Sequence, residues 1–124
     1  IPVIAPIGLG VNNETYNINA DTCAGSIAAA LGAAKLIMMT DVAGVLDSKS
    51  KLINQMDAFT ARGLIDSGVI SNGMIPKVET CLNAIEKKVA AAHILDGRVP
   101  HVLLLEIFTE HGTGTMMVKD KQNT

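Results

Sequence analysis

The stretch Leu36-Ile37-Met38-Met39-Thr40-Asp41 joins a short apolar run to a polar end. A continuous apolar run of this length is typical of a strand that is buried on both faces of a parallel sheet. The preceding segment, from about Asp21 to Ala30, is rich in alanine and glycine and predicts a helix that can lie close to a sheet. A helix that leads into a buried strand indicates an α/β fold.

The alternation of strands and helices continues on both sides of this stretch. Upstream, Ile1–Ile7 predicts a strand and residues 11–16 a short returning strand. Downstream, the pattern predicts these elements in order: a weak strand at Lys51–Ile53, helices at Asp57–Ser67 and Ile75–Lys88, a strand at Ala92–Leu95, a short helix at Pro100–Glu106 with a buried run from Val102 to Leu105, and a strand at Gly114–Val118. The predicted fold is a three-layer αβα sandwich with a mostly parallel central sheet.

Composition narrows the class of protein and its partners. The 124 residues fit one domain, which we expect to span residues 1–118, with a polar tail at 119–124 that frays. The net charge of -2 offers no basic stripe for nucleic acid or an anionic membrane, and no apolar run approaches the length of a membrane span. The isolated cysteines and histidines lack metal-ligand spacing, so we expect no protein-bound metal, reduced thiols and a cytoplasmic location.

Three junctions between strands and helices are candidate ligand sites, because ligands of open parallel sheets bind outside the carboxyl ends of the strands. They are residues 17–21, 40–44 and 71–77. Neither a P-loop with its Lys-Ser/Thr end nor a GxGxxG motif is present in the sequence.

Each junction also has an ordinary structural interpretation. The asparagines and the aspartate of residues 17–21 could simply cap a helix, and Asp41 could close an Asx-turn. Lys77 is a cation near the positive end of a helix, a placement that a bound anion such as a triphosphate would make favourable. It could equally be a solvated lysine on a frayed turn.

The motifs Asn17–Asp21, Leu36–Asp47 and Gly73–Val78, in this order and approximate spacing, resemble the amino acid kinase family. Within this family the sequence resembles members that phosphorylate N-acetyl-L-glutamate, and the likeness extends from Ile1 to about Lys119. This resemblance implies an ATP-dependent transferase that moves the γ-phosphoryl group to the γ-carboxylate of N-acetyl-L-glutamate in arginine biosynthesis. It also implies that Mg²⁺ accompanies ATP as co-substrate.

The resemblance assigns a role to each junction. It implies that Asn17 and Asn19 bind the acetylglutamate, that Asp21 organises catalytic lysines and that Lys77 stabilises the γ-phosphoryl group during transfer. The nucleotide-contacting positions that it implies, besides Lys77, are Thr40, Asp41, Ser71, Asn72, Gly73 and Met74. Such roles suit phosphoryl transfer, whose barrier depends mainly on positioning and on charge placement.

The segment 101–115 is similar to the signature of the arginine-inhibited branch of these kinases. The similarity implies an arginine site with His101, Glu106 and Gly112, and a homo-oligomer for the full-length protein. A carboxylate such as Glu106 suits a guanidinium or an α-ammonium group, although an ordinary exposed glutamate would look the same in one sequence.

The family's amino-terminal half has no counterpart in this sequence. That half carries a glycine-rich phosphate loop, a second catalytic lysine and most of the acceptor pocket. We therefore expect the chain to be a C-terminal, nucleotide-binding part that binds ATP without turnover. Two alternatives remain: another amino acid kinase acting on aspartate, glutamate, carbamate or a nucleotide monophosphate, and a non-catalytic nucleotide- or arginine-binding regulatory module.

Overall fold

The computed structural model of the chain describes residues 1–109 and 112–119. Ten helices and strands follow one another along these residues: β1 (Ile7–Leu9), β2 (Thr15–Asn17), α1 (Ala20–Leu31), β3 (Lys35–Thr40), β4 (Gln55–Asp57), α2 (Ala58–Asp66), α3 (Met74–Glu86), β5 (Ala91–Asp96), α4 (Val102–Phe108) and β6 (Thr115–Val118). Of the predicted polar tail, Lys119 follows β6 directly, and residues 120–124 lie outside the described residues.

Four strands form the central sheet in the order β3-β5-β6-β4. The pairs β3–β5 and β4–β6 are parallel, whereas β5 and β6 are antiparallel. The first two strands form a separate antiparallel hairpin in which Ile7 pairs with Asn17. The α/β prediction with a mostly parallel sheet is therefore confirmed, with one reversal between the two central strands.

Helices cover both faces of this sheet. The core on one face is built from α3, which buries Val78, Cys81, Leu82 and Ile85 at the spacing expected of an amphipathic helix. On this face α1 contacts β3, α3 lies over the two central strands, and α2 contacts β4. Side chains alternate along a strand, so His93 of β5 points to the opposite face, where it meets Glu106 of α4.

Two burial predictions were wrong. Leu36 and Met38 are buried in the core, but Met39 points to the opposite face of the sheet, where it lines an open cavity with residues 97–104 and is 46% exposed. In α4 only Val102 of the predicted buried run is buried. A seven-residue helix lying on a sheet can bury one narrow face only, so its remaining leucines stay exposed.

Two predicted strands are shifted along the chain. The first begins at Ile7 rather than Ile1, since Pro2 and Pro6 cannot donate to a ladder. Residues 51–53 contribute a single bridge, between Leu46 and Leu52, and the strand that follows is β4. Among the described residues, none of the helices is long and apolar enough to cross a bilayer.

Candidate active site

The three candidate junctions lie together at the carboxyl end of the parallel strands of the sheet. The parallel strands β3 and β5 end there, at Thr40 and Asp96, which are paired in register. Helices α1 and α3 each end a few residues before the start of one of these strands, so both run back and begin at the same edge. The positive ends of two helix dipoles therefore converge where the strands end.

Lys77 and Asp21 form an ion pair at this edge. The ammonium Nζ of Lys77 donates to Oδ2 of Asp21 over 2.7 Å, and the two side chains are 22% and 31% exposed. Each lies in the first turn of its own helix, so the pair links the beginnings of α1 and α3. Asp21 compensates a cation that helix electrostatics alone would disfavour, which gives Lys77 a structural partner even without a ligand.

The two asparagines that precede Asp21 differ in their surroundings. Asn17 is exposed at the end of β2. Asn19 is the N-cap of α1 and accepts a hydrogen bond from the backbone N–H of Thr22 over 3.1 Å. The ordinary capping interpretation therefore holds for Asn19, while Asn17 ends the strand that leads into α1.

The second and third junctions share a cavity of about 190 Å³. It is lined by residues of both junctions and by their neighbours along the chain: Val42, Gly44, Val45, Leu46, Val69, Ile70, Ser71 and Met74. Beside it, Thr40 donates from its hydroxyl to Asp41 over 3.3 Å. The buried hydroxyl of Thr115, on β6, accepts from the backbone N–H of Val45 over 2.9 Å and fixes this loop to the sheet.

Helix α3 begins without a side-chain cap. Its N-cap is Gly73, which has no side chain to accept from the first N–H groups, and the preceding Asn72 has φ 48°, in the left-handed region. Ser71, Asn72 and Gly73 are all exposed. The backbone N–H groups of Met74 and Ile75 donate to the carbonyls of Ser71 and Asn72, each over 3.2 Å. An accessible helix start without a side-chain cap, with a lysine one turn in, is a suitable place for a phosphate group.

Sequence reasoning missed an arginine at the same edge. Arg98 follows β5 and holds Asp96 by two hydrogen bonds, of 2.9 Å from Nε and 2.8 Å from Nη2. These bonds hold the pKa of Asp96 at about 2. The position of Asp96-Gly97-Arg98 directly after a buried strand was the signal that could have indicated it.

Glu106 lies on the other face of the sheet and borders a separate cavity of about 370 Å³. Its side chain is 8% exposed, Oε1 lies 2.8 Å from Nδ1 of His93, and Oε2 accepts from the backbone N–H and the hydroxyl of Thr113, each over 3.1 Å. The interpretation of Glu106 as an ordinary exposed glutamate was therefore wrong. Gly112 and Lys35 also line this cavity, and a side chain at Gly112 would meet only open space.

The structure does not bring His101 to Glu106. His101 is exposed, has φ 59° as the N-cap of α4, and lines a different cavity with Met39 and Arg98. The histidine that meets Glu106 is the buried His93, which the sequence analysis left unassigned. Burial lowers the pKa of His93, against the opposing effect of the nearby Glu106 carboxylate. The only sequence feature that could have indicated a role for His93 was its position as a lone histidine in an otherwise apolar strand.

Within residues 1–109 and 112–119, no group of three or more histidine, cysteine, aspartate or glutamate side chains could hold a metal ion. Both cysteines are free, and burial raises the pKa of Cys81 to about 12, which keeps its thiol protonated.

Comparison with known proteins gives a consistent result. The chain matches the amino acid kinase family over residues 1–96. It is 59% identical over 117 residues to the acetylglutamate kinase of Rhodospirillum centenum and 60% identical over 117 residues to that of Rhodospirillum rubrum. These matches cover 94% of this chain but only 38% of each relative, so the chain spans less than half the length of the enzymes it matches.

A similar solved structure is the N-acetylglutamate synthase of Neisseria gonorrhoeae, in complexes with coenzyme A and either N-acetyl-glutamate or L-arginine. The two complexes superpose with TM-scores of 0.88 and 0.87 at 28% identity, over 94% and 93% of this chain and 27% of that one. The family match covers most of the chain, and both the mostly parallel sheet and these relatives agree with it. The chain therefore belongs to the amino acid kinase family.

Proposed function

We propose that this chain is the nucleotide-binding part of an acetylglutamate kinase, which transfers the γ-phosphoryl group of ATP to the γ-carboxylate of N-acetyl-L-glutamate. The observation that carries the proposal is the Lys77–Asp21 pair at the carboxyl end of the parallel strands, beside the start of α3, which has no side-chain cap. The high identity to two acetylglutamate kinases supports this acceptor over aspartate, glutamate, carbamate or a nucleotide monophosphate.

The proposed mechanism uses charge placement without a nucleophilic side chain. The triphosphate lies against the start of α3, with its other contacts from Thr40, Asp41 and the Ser71–Met74 loop. Negative charge spreads over the transferred group in the transition state, and Lys77 stabilises it while Asp21 holds the ammonium in position. Mg²⁺ arrives with ATP and neutralises its phosphates. Asn17 and Asn19 orient the acceptor.

A substitution in a chimaera tests the role of Lys77. This chain would replace the segment that it matches in the R. rubrum enzyme. Lys77→Ala should then lower kcat about 100-fold, close to 3 kcal/mol of barrier, with a much smaller change in ATP affinity. Lys87→Ala, at the other end of α3, is the control and should leave kcat unchanged. The proposal would be rejected if the chimaera were inactive, or if Lys77→Ala left the kcat of an active chimaera unchanged.

We also propose that arginine inhibits the full-length enzyme through the cavity beside Glu106. A buried carboxylate whose Oε1 lies beside His93 can accept a guanidinium or an α-ammonium group, and Gly112 leaves room for a ligand backbone or side chain. The cavity lies on the opposite face of the sheet from the Lys77–Asp21 pair, so arginine would act at a distance from the phosphoryl group. The role of His101 stays a prediction from the sequence.

The inhibition can be tested in the same chimaera. Glu106→Gln should raise the arginine concentration for half-inhibition by about tenfold or more, because a charged hydrogen bond contributes about 1.5–3 kcal/mol. Uninhibited activity should change little. Glu86→Gln, in an exposed pair with Arg62, is the matched control. Equal inhibition of all three proteins would contradict the proposal.

The second candidate function is a non-catalytic arginine-binding module. The observation that favours it is the likeness to a synthase solved with L-arginine. The two functions differ in one measurement, because a module of this kind would bind arginine in the chimaera without any phosphorylation of N-acetyl-L-glutamate.

A further inference from the structure

The connection that follows β3 spans the sheet and is held at its middle. The chain leaves β3, at one end of the strand order, and enters β4 at the other end. Between them Val45 is 1% exposed, and its backbone N–H donates to Oγ1 of Thr115 over 2.9 Å. The carbonyl of Val45 accepts from the N–H of Ile53, also over 2.9 Å. The exposed residues 41–43 therefore lead into a backbone segment that is held on both sides.

Thr115 is a rigid anchor because its backbone neighbours on both sides hold it. It begins β6 and pairs with Ile94 of β5. A Cβ at the preceding Gly114 would lie 2.1 Å from the carbonyl oxygen of Ile94, so the start of β6 is packed against β5. On the other side, the backbone N–H of Met116 donates to the carbonyl of Asn54 over 2.9 Å. The sheet therefore fixes the position of the Thr115 hydroxyl.

The backbone of the loop approaches this hydroxyl more closely than a side chain would allow. Gly44 has φ 141°, in the region that favours glycine, and a Cβ there would lie 2.8 Å from Oγ1 of Thr115. Among the residues that the structure describes, His93 and Thr115 are the buried polar or charged side chains. Valine suits a buried strand position at least as well as threonine. What the hydroxyl adds here is its bond to Val45.

We propose that Thr115 is a positioning residue for ATP, whose hydroxyl holds residues 41–46 where they form part of the nucleotide site. The proposal rests on the proposed function. The loop begins with Asp41, a proposed nucleotide contact. It also contributes four residues to the lining of the cavity of about 190 Å³: Val42, Gly44, Val45 and Leu46. Thr115 is fully buried and does not line this cavity, so it acts on the nucleotide through Val45.

Loss of this anchor should affect the two substrates differently. A loop that samples several positions has to be ordered when the nucleotide binds, and that ordering lowers the affinity for ATP. The acceptor is proposed to bind at Asn17 and Asn19, which lie outside residues 41–46. Its binding should therefore not depend on Thr115.

Kinetics of the chimaera test this difference. Thr115→Val replaces the hydroxyl with a methyl group of similar size and leaves the N–H of Val45 without its acceptor. The KM for ATP should rise about three- to tenfold, the equivalent of one neutral hydrogen bond. The KM for N-acetyl-L-glutamate should change less than about twofold. Thr115→Ser keeps the hydroxyl and should behave as the unaltered chimaera does.

Ile94→Val controls for a general loss of stability. It removes one methylene group from a buried side chain opposite Thr115 and leaves the bond to Val45 in place, so the KM for ATP should stay unchanged. Circular dichroism verifies that each variant is folded. If Thr115→Val does not fold, Gly44→Ala supplies the test, because its methyl group would push the loop away from Oγ1 and should raise the KM for ATP similarly.

Amide exchange at Val45 gives a readout that does not need turnover. In the chimaera, Thr115→Val should speed the exchange of this amide by at least about tenfold, since its N–H loses its acceptor. Saturating ATP with Mg²⁺ should slow that exchange again, because a nucleotide that binds the ordered loop stabilises it. A bond that only stabilises the fold would give the first effect without the second.

Three outcomes would overturn the inference: an unchanged KM for ATP in Thr115→Val, an equal rise in Thr115→Ser or Ile94→Val, or exchange at Val45 that ATP does not slow. Any of these results in an active chimaera removes only the role of Thr115 and leaves the proposed kinase function standing. An inactive chimaera removes the kinase function. Exchange at Val45 with and without ATP then decides whether Thr115 positions a nucleotide.

Discussion

At His93, burial and the neighbouring carboxylate of Glu106 have opposite effects on the pKa of the imidazole. Its ring is 2% exposed and borders the cavity of Glu106, with Lys35 on the same cavity wall. Neither ring nitrogen has a hydrogen bond of good geometry among the described residues, although Nδ1 lies 2.8 Å from the carboxylate of Glu106. Burial lowers the pKa of His93 despite that carboxylate, and Lys35 lowers it further. Folding therefore disfavours the charged imidazole relative to the unfolded chain.

The lowered pKa of His93 makes stability depend on pH in a defined direction. The folded pKa lies below the ordinary value of about 6.5, so the unfolded chain binds the proton more readily. The contribution to stability is complete above about pH 6.5 and declines as the pH falls below it. Denaturant unfolding at several pH values should show a decline for the native chain that is smaller in His93→Gln. His101→Gln, at an exposed site, should retain it. Identical pH slopes in all three proteins would show that His93 does not titrate on unfolding.

At the scale of elements, the contact between α1 and α3 depends on a glycine. A Cβ at Gly25 would lie 2.5 Å from Cγ2 of Thr80, whose hydroxyl is held by the carbonyl of Pro76 over 2.8 Å. The side chain of Thr80 therefore cannot rotate away freely. This close approach brings the first turns of the two helices together, where Asp21 meets Lys77.

Two glycine substitutions distinguish the effect of packing on the free energy of unfolding from the effect of helix propensity. Gly25→Ala should destabilise the chain by about 1–3 kcal/mol, the usual cost of overpacking. Gly63→Ala, in the middle of α2 with open space around it, should stabilise it by about 0.5–1 kcal/mol. The free energy of unfolding in urea measures both. Adding Thr80→Ala should reduce the effect of Gly25→Ala, and a double variant without that recovery would contradict the packing explanation.

At the scale of the whole molecule, the described residues form only one side of the candidate active site. The Lys77–Asp21 pair and the loops of the second and third junctions form the proposed nucleotide site, but most of each relative's length has no counterpart in this chain. Phosphoryl transfer needs donor and acceptor aligned within about 3–3.5 Å. A site built from one side only therefore loses most of the rate enhancement that comes from positioning the two substrates.

The chain alone should therefore bind ATP weakly and phosphorylate nothing. We expect a Kd of about 1 mM, equivalent to about -4 kcal/mol, in a calorimetric titration with Mg²⁺ present. AMP should bind more weakly still, because it lacks the β- and γ-phosphates that we propose contact Lys77. A kinase assay with N-acetyl-L-glutamate completes the test. Full-rate turnover by the chain alone would disprove the requirement for a second side of the active site.

The sequence by itself determined the element types and the family. Periodic burial of Val78, Cys81 and Ile85 and the apolar run of β3 follow from local patterning, which depends on neighbours along the chain. The motifs around Asn17, Thr40 and Lys77 were sufficient for the family resemblance, and the family match confirmed it. Local pattern also indicated which residues stand at strand ends, and hence where a ligand site could form.

Only the tertiary structure decided which of these residues meet. Lys77 and Asp21 are 56 positions apart, and their contact depends on two helices beginning at the same edge of the sheet. The choice of His93 over His101 as the partner of Glu106 depends on which face of β5 receives α4. The exposure of Met39 depends on how little of β3 is covered by helices on the face opposite the core. Strand order and helix placement arise from contacts between distant segments, which no local pattern encodes.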